Sequence, residues 1–526
     1  MVDRKILVIY FNILAVAAIG LLVPKASVPH GIGYLLLISL YFIPIITAVL
    51  TDLKKTTHII FLFLTPIFTM LIVIDPVEIG FFGYDPYSYT IPAHLSFSNS
   101  QGISEFMSLT TSWPAFYALT NVIERVIGHS ILDVGKYLPL ISGVTPTMVY
   151  LAVSRKVHTR TAFISAMGFA STRSLLLFEA KFLDETLAIA LFFTLTFVLL
   201  MAQNRRRSIL ILLLLGSITL THHTVSLFAL LFISVWYTIG SVTNSNIVPS
   251  RFKNIEMNEV GLPPVISLFV GMCIFIFILA YFVPDLTRWV TVDLIQSIMK
   301  GGGGGGEASG RIGEGSSSIR GAITTSAVGV LGALALIAAY GTLSKRQRPS
   351  WVTSWTVFAG IIGLLYSISL VTGRIIPLDP IRFLIVFVPF LVVSALVILC
   401  NSEMISRPNR RTTLASILVC ALIITQLLAI PPHVLVSDPE STTLSEGHYT
   451  SSQFTASDWT SEYYDGQIAV YEPGLWVSKG NSNLTAVDES NQTSLFVWRN
   501  ESMVKFNQSE DRIYDSGDIR LVTGLD

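Results

Sequence analysis

Cysteine is scarce in this 526-residue sequence: there are 3, Cys273, Cys400 and Cys420, and all fall inside apolar runs. The polar C-terminal stretch has none, which excludes a disulfide framework or a cysteine metal site there. Charge is scarce too, at 13% of residues, and no basic stripe of the kind that tracks a nucleic-acid backbone is present. Nucleic acid is therefore not expected as a partner.

What the sequence has in quantity is hydrophobic residues, 52% of the total. They are grouped in runs of roughly 17–25, the length that crosses a bilayer core. The expectation is a mainly α, polytopic transmembrane bundle of about thirteen spans. The runs are Ile6–Val23, Gly31–Leu50, His58–Ile74, Tyr137–Val153, Ala162–Thr172, Glu185–Met201, Ile209–Thr221, Val225–Val242, Val265–Val283, Ala322–Tyr340, Trp351–Thr372, Arg382–Cys400 and Leu414–Ile430. Residues 1–430 form this unit, and 431–526 form a small outward β-rich C-terminal domain.

The net charge of zero conceals an asymmetry. From Pro431 onward there are 15 acidic and 5 basic residues, a net charge of −10, which leaves +10 for the remainder. The basic clusters recur in short loops such as Lys54-Lys55, Arg155-Lys156, Arg205-Arg206-Arg207 and Arg410-Arg411. That bias sets orientation: N-terminus cytoplasmic, C-terminal domain extracellular, in a multi-pass cell-membrane protein. Two long outer loops follow, at about 76–135 and 284–320. In the first, Phe116, Leu119, Val122, Ile123 and Val126 recur at helical spacing, as in a helix lying along the interface. In the second, the run Gly301–Gly306 reads as a linker or as a gate over a site. In the tail, residues 467–471 and 494–498 read as strands, and 512–514 with 519–522 as a hairpin. Four Asn-x-Ser/Thr sequons, at Asn483, Asn491, Asn500 and Asn507, are glycosylation acceptors on an outward surface.

The residues able to do chemistry gather at the expected outer edge. Asp85 opens the first loop within Gly83-Tyr84-Asp85-Pro86-Tyr87-Ser88-Tyr89, held extended by the proline that follows. Tyr87 and Tyr89 suit either an interfacial belt or stacking on a sugar. His94 and Glu105 lie downstream as a second acid/base or metal pair, or as solvated side chains. Asp184 and Glu185 begin a helix, where carboxylates favour the macrodipole; alternatively Glu185 faces a cavity under Asp85 and shares the catalytic role. His222 and His223 end a span at the same level, as phosphate contacts or interfacial residues. Arg374 and Arg382 bracket an outer turn, and guanidinium suits bidentate phosphate recognition as well as headgroup snorkelling. Arg173 and Arg288 are weaker candidates on that side.

This layout resembles the GT-C superfamily of integral-membrane glycosyltransferases: many spans, a first outer loop opened by an acid, a second outer loop and an outward C-terminal domain. The low lysine content and acidic tail are similar to those of archaeal members. The resemblance implies a donor sugar carried on dolichyl or polyprenyl phosphate, a glycan acceptor and an inverting reaction at the outer face in contact with membrane lipid. Asp85 then matches the loop acid, as general base or as a ligand of a divalent metal (magnesium or manganese), with otherwise no cofactor. Arg382 matches the arginine that holds the lipid phosphate. Among subclasses, oligosaccharyltransferases carry a Trp-Trp-Asp-Tyr-Gly motif; the nearest text here, Asp458-Trp459-Thr460-Ser461-Glu462-Tyr463-Tyr464-Asp465-Gly466, is not that motif. The preferred reading is a transferase of one sugar, plausibly mannose, to a lipid-linked or protein-linked glycan. The alternatives are an oligosaccharyltransferase-like enzyme and a lipid-linked-sugar transporter or flippase. The latter calls for midplane charges and an inverted repeat, and neither is seen.

Overall fold

A computed structural model describes residues 2–20, 30–74, 81–82, 86–100, 114–130, 135–172, 175–176, 179–201, 205–244, 271, 319–343, 350–372, 380–401, 408–428, 457, 468–470, 484–486, 495–499, 512–515 and 519–523. Among the described residues helices occupy the apolar runs, except that Tyr137–Val153 is divided between a 3-10 stretch and a short α-helix. In chain order they are α1 Val2–Gly20, α2 His30–Leu50, α3 Lys55–Ile74, α4 Ile91–Asn99, α5 Pro114–Ile127, α6 Thr145–Val153, α7 Thr159–Ala170, α8 Asp184–Leu200, α9 Arg205–Thr221, α10 His223–Asn244, α11 Ile319–Leu343, α12 Ser350–Thr372, α13 Pro380–Asn401 and α14 Pro408–Leu428. A π-helical turn, Pro86–Thr90, precedes α4, and a 3-10 stretch, Gly135–Val144, precedes α6. Among the described residues five helical segments are long and apolar enough to cross a bilayer: Gly33–Leu50, Lys55–Ile74, His223–Gly240, Arg382–Cys400 and Arg411–Leu428. The chain is a membrane protein.

The core is built on α7, α8 and α13. Helix α7 packs against α2, α3, α6, α13 and α14, and each residue from Thr161 to Ala170 is buried. Small residues allow this. A Cβ on Gly168 would stand 3.0 Å from both Leu396 Cδ1 and Val392 Cγ1 of α13. A similar close approach joins α11 to α13, where a Cβ on Gly341 would meet the side chain of Ile398. Around α8 and α13 the aromatics interlock: Phe232 lies 5.1 Å from Phe390, and Trp355 lies 4.9 Å from Phe390, ring centre to ring centre.

The length of α7 positions the site. Its 12 residues rise only about 18 Å, well short of a bilayer core. The chain therefore turns at Ser171 and Thr172 while still inside the bundle, and both are fully buried, as are Leu176 and Glu179 after them. Helix α8 thus starts within the protein and not at its periphery.

Five short strands follow the last helix: β1 Ile468–Val470, β2 Leu484–Ala486, β3 Leu495–Arg499, β4 Arg512–Asp515 and β5 Ile519–Thr523. Their order in one sheet is β2-β1-β3-β5-β4. β1 pairs parallel with β2 and β3, whereas β5 pairs antiparallel with β3 and β4. The β4–β5 pair takes up the two segments read as a hairpin. β2 went unread because its 3 residues carry no usable periodicity.

Several sequence expectations lie outside the described residues: Asp85, Glu105, Arg173, Arg288, Arg374, the glycine run, the 265–283 span apart from Gly271, and the four sequon asparagines. Tyr89 lies in the π-helical turn by its backbone, with its side chain likewise outside the description.

Candidate active site

Three helix ends meet. The first is the start of α8, where Leu183 is extended and the first turn carries Asp184 and Glu185. Asp184 Oδ1 accepts the Glu185 N–H at 3.0 Å, so this acid satisfies one free N–H of the first turn and complements the macrodipole. The second is the break between α9 and α10, where His222 is the single non-helical residue. Its carbonyl accepts both the Ser226 N–H, at 3.1 Å, and the Ser226 hydroxyl, at 2.7 Å, which starts the next helix. The third is the start of α13, opened by Pro380, with Arg382 in the first turn. Proline suits this position because the first helical N–H has no partner to lose.

Glu185 sits at the centre. Its side chain is 3% exposed, and its Oε2 lies 3.4 Å from Arg382 Nε and 3.7 Å from His222 Nε2. The first is an ion pair; the second is too long for a hydrogen bond. Burial, reinforced by the nearby His223 and Arg382, lowers the His222 pKa well below 6.5, so that this imidazole is neutral. Its Nδ1 is buried and has no hydrogen-bond partner among the described residues. Arg382 remains 32% exposed, and among the described residues its one ion pair is through Nε.

Two adjacent histidines on one helix would diverge by about 100°. Here the break at His222 lets the two rings stack, with centres 4.8 Å apart and planes 20° apart. The structure therefore brings together Glu185, His222, His223 and Arg382, which the sequence had offered from three separate segments.

Tyr87 is drawn in from the other side. Its hydroxyl accepts the Phe81 N–H at 2.7 Å, and Phe81 stacks on Phe182 at 4.8 Å, two residues before Asp184. Phe81, Phe82 and Tyr87, which flank residues 83–85, are all buried. Tyr87 is therefore engaged as an anchor of the loop.

His94 has a different occupation from the expected acid/base or metal role. Its Nδ1 lies 3.0 Å from Thr120 Oγ1 and its Nε2 3.1 Å from Glu124 Oε2, so both ring nitrogens bind α4 to α5. Sequence reasoning missed Glu124, which sits on the polar side of an amphipathic helix. Phe116, Tyr117 and Thr120 face inward, while Leu119, Val122 and Val126 are 36%, 56% and 80% exposed. An outward apolar stripe suits a lipid surface. Burial lowers the His94 pKa, opposed by Glu124. The unfolded chain, with histidine near 6.5, then takes up the proton first as pH falls. The α4–α5 contact is expected to be fully stable above pH 6.5 and to weaken as pH drops below it. Thermal unfolding at stepped pH checks this: wild type should lose stability below that point, and a His94→Gln protein should not show that step.

No protein-family model and no curated protein sequence matches the chain. Its fold does match solved structures. ArnT from Cupriavidus metallidurans in the apo state superposes with a TM-score of 0.52 at 11% identity, over 89% of this chain and 98% of that one. The same ArnT bound to undecaprenyl phosphate gives 0.51 at 11%, over 86% and 96%. The Archaeoglobus fulgidus oligosaccharyltransferase, tethered to an acceptor peptide containing an NVT sequon, gives 0.51 at 13%, over 82% and 64%.

The chain has the GT-C fold.

The chain spans 64% of the length of the archaeal oligosaccharyltransferase and nearly all of ArnT. Its described cluster sets one guanidinium against a buried carboxylate. Among the described residues no group of three or more His, Cys, Asp or Glu side chains converges as a metal site. Glu185 is committed to a guanidinium 3.4 Å away, and that fixed cation would repel a metal ion bound beside it. Asp85, the metal ligand expected from the sequence, lies outside the described residues.

Proposed function

We propose that this GT-C protein is a multi-pass glycosyltransferase that moves one sugar, plausibly mannose, from a dolichyl- or polyprenyl-phosphate donor to a lipid-linked or protein-linked glycan. The reaction takes place at the outer face of the cell membrane. The N-terminus is cytoplasmic, about thirteen spans cross the bilayer, and residues 431–526 form an outward, strand-rich domain carrying the sequons.

The observation that carries this reading is the Arg382 guanidinium. It is held on its Nε edge by buried Glu185, is one-third exposed, and sits among neutral His222 and its neighbours at one end of the bundle. Such a group is pre-oriented for phosphate. ArnT, whose fold this chain shares, has been solved with undecaprenyl phosphate bound.

In the reaction, Arg382 holds the phosphate, assisted by one histidine and by Arg374. The acceptor hydroxyl attacks the anomeric carbon as the bond to the phosphate oxygen breaks. The electron pair stays on the phosphate, and Asp85 takes the hydroxyl proton, giving inversion. Phe81, stacked on Phe182 beside the start of α8 and bonded to Tyr87, supports the proposal that Asp85 works next to this cluster. Tyr87 anchors that loop, and Tyr89 offers a ring to the sugar. Glu185 positions the arginine. No step is routed through a metal.

Likeness to the archaeal oligosaccharyltransferase favours a second reading, transfer of a whole oligosaccharide. Glycan mass spectrometry of a deletion strain separates the two. The first requires glycans shortened by a single sugar; proteins lacking the entire glycan would establish the second, and unchanged glycans would reject both.

A further inference from the structure

Taking Arg382 as the lipid-phosphate anchor, as the reading above does, we infer that Glu185 makes the site selective for charge. It admits a singly charged phosphodiester and disfavours a doubly charged phosphomonoester, so the spent carrier is released by the site that accepted the donor.

The charges support this. Among the described groups that face the cluster, Arg382 is the cation; Glu185 and Asp184 are the acids, and His222 and His223 complete the set. Glu185 is 3% exposed and 3.4 Å from Arg382 Nε, so its charge is poorly screened and cannot swing away into solvent. A phosphate on the far edge of the same guanidinium shares its one positive charge with a fixed carboxylate. One phosphate charge is balanced in part; the second meets net repulsion.

The reaction creates that second charge. The donor is a phosphodiester with one negative charge throughout the working pH range. When the sugar–oxygen bond breaks, the electron pair remains on phosphate and the hydroxyl proton leaves on the base. The carrier becomes a phosphomonoester, whose second ionisation lies near pH 6, as in other phosphate monoesters. Above that pH the product is a dianion and Glu185 opposes it. A carboxylate in this position also offsets the charge of Arg382 in the empty site, so the arginine is held in place.

The test uses the purified full-length protein in lipid nanodiscs. Undecaprenyl phosphate and its methyl phosphodiester compete against labelled undecaprenyl phosphate, at pH 8 and at pH 5. The expected wild-type preference for the diester at pH 8 shrinks at pH 5, where the monoester also carries one charge. In Glu185→Gln the ratio at pH 8 should move toward the monoester by about tenfold, the order expected of one unit charge across a partly screened site. At pH 5 it should hardly move. A ratio equal in wild type and Glu185→Gln overturns the inference even if both affinities fall together, since that is what loss of positioning alone would do. A wild-type ratio that ignores pH also overturns it. The premise is read separately: if Arg382→Ala binds both lipids as tightly as wild type, the phosphate is not held there. If Arg382→Ala weakens both while Glu185→Gln leaves the ratio unchanged, the anchor stands and charge selection alone is wrong.

Discussion

An Asp85→Asn protein is expected to insert and fold as wild type does and to transfer no measurable sugar. Asparagine keeps the size and the hydrogen-bonding oxygen but cannot take a proton. Loss of a positioned general base costs about 10²- to 10⁴-fold in rate. The loop should tolerate the change because its anchors lie on either side: Phe81, stacked on Phe182, and Tyr87, joined to Phe81 by the 2.7 Å hydrogen bond. The measurement is transfer from a polyprenyl-phosphate sugar by purified protein, read beside the gel-filtration profile. Activity within a few-fold of wild type would remove Asp85 from the mechanism and leave another base to be found.

Arg382→Ala should have an effect of similar size by a different route. It deletes the phosphate anchor, so the donor KM should rise sharply. It also leaves Glu185, 3% exposed, without its ion pair. Breaking a fully buried pair costs about 3–5 kcal/mol, and the 32% exposure of Arg382 puts this case toward or below the lower end. The two effects separate in a double substitution. Arg382→Ala combined with Glu185→Gln removes the stranded charge, so thermal stability should return toward wild type while transfer stays lost. Recovery of transfer along with stability would make Arg382 a structural residue only.

Some of the site was legible in the chain. Arg382 stands at the mouth of an apolar run, Glu185 at the head of another, and His222 between two more; each interrupts hydrophobic sequence where a charged or polar group is costly. What could not be read was which of them pair. His94, offered for its place downstream of Asp85 in the first loop, is instead joined to Thr120 and Glu124. Sequence reasoning also misjudged the two histidines, because a helix break of one residue leaves no compositional trace while changing where both rings point. The burial of α7 on all sides was hidden as well: a short apolar run looks alike whether it faces lipid or protein.

By itself the sequence determined that this is a helical membrane protein with an acidic, cysteine-free tail, because span length, hydropathy and charge bias are local properties of the chain. It also determined which side chains were available for chemistry. Only the tertiary structure decided that Glu185, His222, His223 and Arg382 form one site, with the carboxylate buried against the guanidinium. The physical reason is that local periodicity sets the face of each helix but not its neighbours, and the electrostatics of a site come from the neighbours.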